Sequence, residues 1–190
     1  MTKVFIGGSR AASKLNKALK HRIDNIIEKG YEILVGDANG ADKAVQKYIL
    51  EKDYKNVVVF CMENQCRNNI GHWQTKHIQA IENKSGFDYY SIKDLEMAKE
   101  ADYGFMIWDA KSKGTLNNVI NLLKLNKKTL VYFYPGKKFY AIITFDNLKY
   151  LLSKCSKESL EAFKKELDLS EILNTSKSEQ PRMEFTYEGS

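Results

Sequence analysis

The chain reads as an α/β protein: a mainly parallel five-stranded sheet with helices on both faces, plus a helical C-terminal appendage. Short apolar, β-branched runs alternate with amphipathic stretches from Lys3 to Tyr134, and that alternation makes parallel strands joined by right-handed crossovers. The run NVVVFC, Asn56–Cys61, is continuously apolar after Asn56, as a strand covered on both faces requires.

Lys3–Ile6 is the first expected strand. From Ser13 to Lys29, the residues Leu15, Leu19, Ile23 and Ile26/Ile27 share one helical face, and Gly30 supplies a stop. Tyr31–Val35 is the second strand, Ala41–Glu51 the second helix, with Ala44, Val45, Tyr48 and Ile49, and Asn56–Cys61 the third strand. The period loosens from Met62 to Tyr90, where His77–Ile81 reads as a short helix. Asp94–Glu100 is helical, Tyr103–Trp108 the fourth strand, Leu116–Leu125 a helix and Thr129–Tyr134 the fifth strand, closed by Pro135-Gly136. The alternation then stops. Tyr140–Phe145 could be an extra strand, and Leu148–Ser153 and Lys157–Leu167 read as helices. The expected organisation is one domain over 1–135, an appendage over 136–175 packed on it, and a loosely ordered polar tail over 176–190.

With 190 residues, 43% of them hydrophobic and 12% aromatic, the chain can bury one substantial core. No apolar run approaches the roughly 20 residues of a membrane span, and the start of the sequence lacks a signal-peptide pattern, so a cytoplasmic location and no membrane partner are expected. Cys61, Cys66 and Cys155 form an odd set without zinc-ribbon spacing; free thiols are expected, with no metal and no cofactor. A net charge of +6 and a pI near 9.0 admit nucleic acid or nucleotide phosphates as partners. The lysines are scattered along the helical stretches, which favours a solvated basic surface. The apolar face at Leu160, Phe163 and Leu167, with the helices flanking the sheet, makes a homo-oligomer the expected assembly.

In an open parallel sheet, ligands bind beyond the carboxyl ends of the strands where the strand order reverses. For the order 3-2-1-4-5, the loops meeting there are GGSR after strand one and DAKSKGT after strand four, with GDANGAD after strand two beside them. Gly7 and Gly8 let backbone N–H groups approach an oxyanion, and Ser9 and Arg10 add polar and charged donors. Each loop feeds a helix whose positive N-terminus faces the same volume. Lys113, Gly114 and Thr115 open the helix after strand four, with Thr115 either a cap or a phosphate contact. Asp37 and Asp109 end strands two and four, where a carboxylate accepts from ribose hydroxyls, and Asp42 lies just inside its helix.

The segments FIGGSR, GYEILVGDANGADKAVQKY and AKEADYGFMIWDAKSKGTLNNVINLLKLNKKTLVYF resemble the SLOG superfamily. That Rossmann-like group includes the Lonely-guy phosphoribohydrolases, the DNA-processing protein A family and nucleotide-sensing domains, and the small stand-alone SLOG proteins fit best. The resemblance covers Lys3 to Tyr134. It implies a first binding loop at Gly7, Gly8, Ser9 and Arg10, a second at Gly36, Asp37, Gly40, Ala41 and Asp42, and the tail of a phosphate loop at Lys113, Gly114 and Thr115. Two departures stand out. The Pro-Gly-Gly portion of the phosphoribohydrolase loop is replaced by Asp109-Ala110-Lys111-Ser112, and its glutamate falls at Asn118. An amide is neither a general base nor a charged stabiliser of a sugar cation, although it can still hydrogen-bond a ribose. Asn39 stands where an arginine is common in the DNA-processing relatives.

These features imply a protein that binds a nucleotide or nucleotide-derived small molecule, as a sensor, sponge or regulatory protein. The first alternative is an N-glycosidic hydrolase in which Asp37, Asp42 or Asp109 replaces the glutamate, Glu96 and Glu100 being worse placed. The second is single-stranded nucleic-acid binding. His72 and His77, beside Trp73, could overhang the crevice, although an ordinary surface loop is the favoured reading there. Trp108 is expected in the core.

Overall fold

The computed structural model describes residues 1–80 and 85–167, together with Leu169, Ile172 and the backbone of Glu184–Phe185. β1 (Lys3–Gly8) runs through the middle of a sheet that also holds β2 (Glu32–Gly36), β3 (Val57–Met62), β4 (Gln74–Ile78), β5 (Tyr103–Trp108), β6 (Thr129–Phe133) and β7 (Lys138–Ile142). The two-residue β8 (Glu184–Phe185) adds an eighth strand at one edge, giving the order β4-β3-β2-β1-β5-β6-β7-β8. β4 through β6 are all parallel in space, with Val4 opposite Ile33 on one side and Tyr103 on the other. β7 and β8 pair antiparallel. The order reverses between β1 and β5, where the sequence placed the site.

The helices are α1 (Lys17–Glu28), α2 (Ala41–Glu51), α3 (Gly86–Glu100), α4 (Lys113–Lys124), α5 (Phe145–Leu152) and α6 (Lys157–Glu166). α1 and α2 cover one face through Leu19, Ile23, Val45 and Ile49, against Ile6, Ile33, Val35 and Ile107. α3 to α6 lie on the other face, over Phe5, Leu34, Phe60, Met106, Trp108 and Val131. Successive strand residues such as Val4, Phe5 and Ile6 alternate between these two cores, as the pleat dictates. Each fully buried side chain of this size contributes roughly 1.5–3 kcal/mol.

Five strands were expected in the core; the sheet has three more. β4 replaces the short helix expected at His77–Ile81, of which Ile81 lies outside the described residues. Its QTKHI sequence is polar and largely exposed, so it shows neither the alternation of a half-buried strand nor the run of a central one, which is how edge strands commonly look. β7 continues the sheet from β6, with Val131 opposite Tyr140. The extra strand named at Tyr140–Phe145 is thus present two residues earlier, at Lys138–Ile142, while α5 and α6 pack on one face of the sheet. Leu148, Leu151 and Phe163 join the core around Trp108, with Leu160 and Leu167 packed against it. The stripe expected to mediate self-association is therefore occupied within the chain. The expected tail, 176–190, lies outside the described residues apart from β8.

Side-chain caps set the starts of α1 and α4. Asn16 accepts from the Leu19 N–H at 2.9 Å, so α1 begins at Lys17 and not at Ser13. Ser112 caps α4, which begins at Lys113 and not at Leu116. No helix among the described residues is long and apolar enough to cross a membrane.

Candidate functional site

The first and second loops interlock at Gly40. Its φ of +88° lies in the region that favours glycine, and a Cβ there would collide with the Arg10 backbone. Gly8 is needed for packing too, since a Cβ would run into the Ile107 carbonyl and the Ala41 side chain. Ser9, fully buried, ties the first loop to both neighbours. Its carbonyl accepts from the N–H groups of Ala12 (3.0 Å) and Ala41 (3.2 Å). Its Oγ donates to Asp109 Oδ1 at 2.9 Å and accepts from the Asp109 N–H at 3.0 Å.

Asp109 Oδ1 also accepts from the N–H groups of Lys111 (2.9 Å) and Ser112 (2.7 Å). This carboxylate shapes the turn that delivers the chain to α4. Thr115 is buried, 3.3 Å from Ser9 Oγ, and donates to the Ser112 cap at 3.0 Å. The first turn of α4, with Lys113 and the open Gly114, faces the crevice.

The crevice is a cavity of about 750 Å³ at the carboxyl ends of β1 and β5. Arg10, Lys111 and Lys113 stand on its walls, and Gly7, Gly8, Asp42, Asp109, Gly114, Thr115 and Asn118 also line it. Arg10 and Lys111 are exposed and pair with no acid among the described residues, whereas Lys113 reaches Glu166 and lies 4.7 Å from the centre of the Phe87 ring. α3 contributes Phe87, Tyr90, Lys93 and Asp94 to the same cavity. Lys93 is buried, 2.8 Å from Asp94 Oδ1 and 3.8 Å from Asp37 Oδ1. Burial works against its charge, but Asp94 and Asp42 prevail and hold its pKa above the ordinary lysine value. Asp42 accepts from the Ala38 N–H at 3.2 Å. Burial chiefly raises its pKa to about 7, with Asp94 and Asp37 adding to it and Lys93 opposing.

No family model matches the chain, and no curated protein matches it in sequence. Among solved structures it is similar to DNA processing protein A from Helicobacter pylori, described for its unique single-stranded DNA binding mode. The TM-score is 0.52 and the identity 18%, over 68% of this chain and 64% of that one. The chain has the Rossmann-like fold of DNA processing protein A. The likeness expected from its three loops holds at the level of the fold, and the chain spans less than two thirds of that neighbour's length.

Within the fold shared with DNA processing protein A, the sequence-selected residues divide into two groups. Ser9, Gly36, Asp37, Gly40 and Ala41 do not line the crevice; they build its frame. Gly36 leaves space that Asp42 and Lys93 fill. Asp37, expected at a ribose, instead takes a two-pronged contact from Arg67, Nη2 to Oδ1 at 2.6 Å and Nε to Oδ2 at 3.2 Å, plus the Arg67 N–H at 3.0 Å. Burial pushes the Asp37 carboxyl up, but Arg67 and Lys93 outweigh it and leave it below the usual carboxylate value. Asp42, Asp94 and Asp109 line the cavity, each also held by protein donors, and Asp37 is turned away from it into the Arg67 contact.

Arg67, Tyr90, Lys93 and Asp94 were not selected from the sequence. The Arg67 guanidinium lies 4.2 Å from the Tyr90 ring centre, and its loop is held by Gln46, which donates to the carbonyls of Gly36 (2.9 Å) and Asn68 (3.2 Å). Asn68 in turn donates to Asn39 Oδ1 at 3.2 Å. The thiols expected to be free at Cys61 and Cys66 are instead joined in a disulfide that spans the start of this loop, with Cα atoms 5.0 Å apart. A chain reversal after β3 brings together two cysteines that no spacing rule pairs. Cys155 is a free thiol, pushed up to about 11 by burial. His72 and His77 do not line the crevice: His77 sits in β4, 3.1 Å from Thr75 Oγ1, and Trp73 is buried and donates to the Tyr54 carbonyl at 2.9 Å. Trp108 is core, against Phe133 and Phe163. No group of three metal-ligating side chains occurs among the described residues.

Proposed function

We propose that the crevice binds a nucleotide or nucleotide-derived small molecule, with its phosphates toward Arg10, Lys111 and the first turn of α4. The observation that carries this is that Arg10 and Lys111, exposed and without an acid partner among the described residues, line the crevice together with the first turn of α4. Exposed cations and a helix N-terminus suit an oxyanion, whereas the more buried Asp42, Asp94 and Asn118 suit the hydroxyls of a sugar. Phe87 and Tyr90 on α3, each with a cation over one face, leave the other face for a base. The reading is tested by calorimetry against ADP-ribose, cyclic nucleotides and nucleoside monophosphates. Micromolar binding that weakens at least tenfold in Arg10→Ala supports it; no binding tighter than millimolar across the panel removes it.

Chromatography of the same mixtures tests the N-glycosidic alternative. Released free base, lost in Asp94→Asn, would favour it over simple binding. A second reading, an unpaired nucleotide of a single strand seated in the same crevice, draws support from the fold shared with DNA processing protein A. An oligonucleotide that displaces a bound mononucleotide would favour it.

A further inference from the structure

The two faces of the sheet are covered unequally. On the face that carries α1 and α2, those two helices contribute the helical part of the core, while α3, α4, α5 and α6 all pack on the opposite face. Among the described residues, no helix lies over the β5–β6–β7 half beside α1. Tyr103 there is 42% exposed and Ile143 41% exposed, and Leu130, Phe139 and Ala141 are only partly covered. Between this half-sheet and α1 lies a cleft of about 610 Å³. It opens at the amino ends of β1, β5 and β6, and shares no lining residue with the crevice.

The walls of this cleft have one sign of charge. Arg22, Lys29 and Lys128 line it, all three are exposed, and none forms an ion pair among the described residues. No carboxylate lines it. The floor is aromatic: the Tyr31 and Tyr103 rings lie 6.4 Å apart and Phe139 lies 6.4 Å from Phe105, with Lys29 over Tyr31 at 5.9 Å.

We propose that this bare half-sheet is a second binding site, and that it takes single-stranded nucleic acid, with bases on Tyr31, Tyr103 and Phe139 and phosphates at Arg22, Lys29 and Lys128. Unpaired bases expose flat apolar faces at regular spacing along a polyanion, and aromatic rings flanked by cations match both properties. A duplex hides those faces. An acidic peptide would meet the cations but leave the rings without a stacking partner. A second copy docked by a two-fold axis would press two sets of three cations into one desolvated interface. The proposal does not rest on what the crevice binds, because the two sites have no residue in common.

Anisotropy of a labelled oligo(dT) of about twelve nucleotides, a length within the usual single-strand site range, tests it on the full chain. Binding should fall roughly 20-fold between about 50 and 200 mM salt, from three phosphate contacts at a slope of about −0.7 each. Tyr103→Ala should weaken binding at least about fivefold, the low end for one stacked base. Lys128→Glu, at the exposed residue before β6, should weaken it as well and flatten the salt slope. Lys47→Glu, on the exposed side of α2, should change little, with circular dichroism confirming that each variant is folded. The proposal is overturned by absent binding at low salt, by a duplex of equal length binding as well, or by poly-glutamate competing as well as the oligonucleotide. It is also overturned if Arg10→Ala abolishes binding while Tyr103→Ala does not, which would place the strand in the crevice. A concentration-dependent dimer that Tyr103→Ala dissolves, with oligonucleotide binding unaltered, would assign the face to self-association instead.

Discussion

Asn118 donates from Nδ2 to Asp94 Oδ2 across 3.3 Å, while its Oδ1 is buried and has no donor among the described residues. The two side chains come from neighbouring helices, α4 and α3, and meet on the crevice wall. An amide oriented by a carboxylate, with its acceptor left open, is suited to receive a hydroxyl or amine of a ligand.

Asn118→Ala should therefore affect binding more than folding. The substitution removes one hydrogen bond but also removes an unsatisfied buried oxygen, and these effects offset each other in the free protein. Ligand affinity should fall by about 1 kcal/mol, the usual contribution of one neutral hydrogen bond. Calorimetry and urea unfolding on the same variant check this; a loss in folding stability with unchanged affinity would make Asn118 a purely structural amide.

Asp42 gives the protein a pH dependence of predictable sign. Its carboxyl titrates at about 7 in the folded chain and near 3.9 when unfolded, so between those values the folded state holds the extra proton. Stability from this group is fully present below pH ~4 and is lost as pH rises toward 7. The depressed Asp37 acts only below its ordinary value, outside that window. The melting temperature should decline from pH 5 to pH 8, and Asp42→Asn should flatten the decline and raise the melting temperature at pH 8. An unchanged profile in the variant would exclude Asp42 as the source.

Arg67→Ala should leave the Asp37 carboxylate buried with the backbone N–H of residue 67 and the more distant Lys93 as its compensation. A loss of roughly 2–3 kcal/mol is expected, at the lower end for a broken buried pair because Arg67 itself is partly exposed. Adding Asp37→Asn should recover part of that loss, because the second substitution removes the stranded charge. Urea denaturation of the four-member cycle measures the coupling, and strict additivity would show that the pair contributes nothing.

Reduction of the Cys61–Cys66 disulfide, or Cys66→Ser, should loosen the loop that carries Arg67. The bridge closes a short loop of sequence separation 5, for which the chain-entropy account gives about 2 kcal/mol. Because Arg67 lines the crevice, nucleotide affinity should fall along with stability. Binding measured with and without a dithiol reductant checks this, with Cys155→Ser as the control for the remaining thiol.

By itself, the sequence determined the order of elements through Tyr134 apart from β4, the parallel arrangement, the reversal between β1 and β5, and the three loops that meet there. Those features are written in local terms: apolar runs such as Val57–Met62, helical spacing at Leu19 and Ile23, and glycines at turns. Tertiary structure decided everything that depends on residues distant in sequence. α3 was legible only from Asp94 onward because its earlier turns, Gly86–Lys93, turn Phe87, Tyr90 and Lys93 to the crevice and show no continuous apolar period. β4 was missed because an edge strand needs no apolar face. Asp37 looked like a ribose ligand until Arg67, thirty residues later, folded back onto it. Cys61 and Cys66 looked free for a similar reason: their pairing is a property of the path between them, not of their spacing. The bare half-sheet is the clearest case. Which face each helix covers is set by the path its connecting loops take across the sheet, and amphipathic patterns record that a helix has a buried side without recording which side of the sheet it buries.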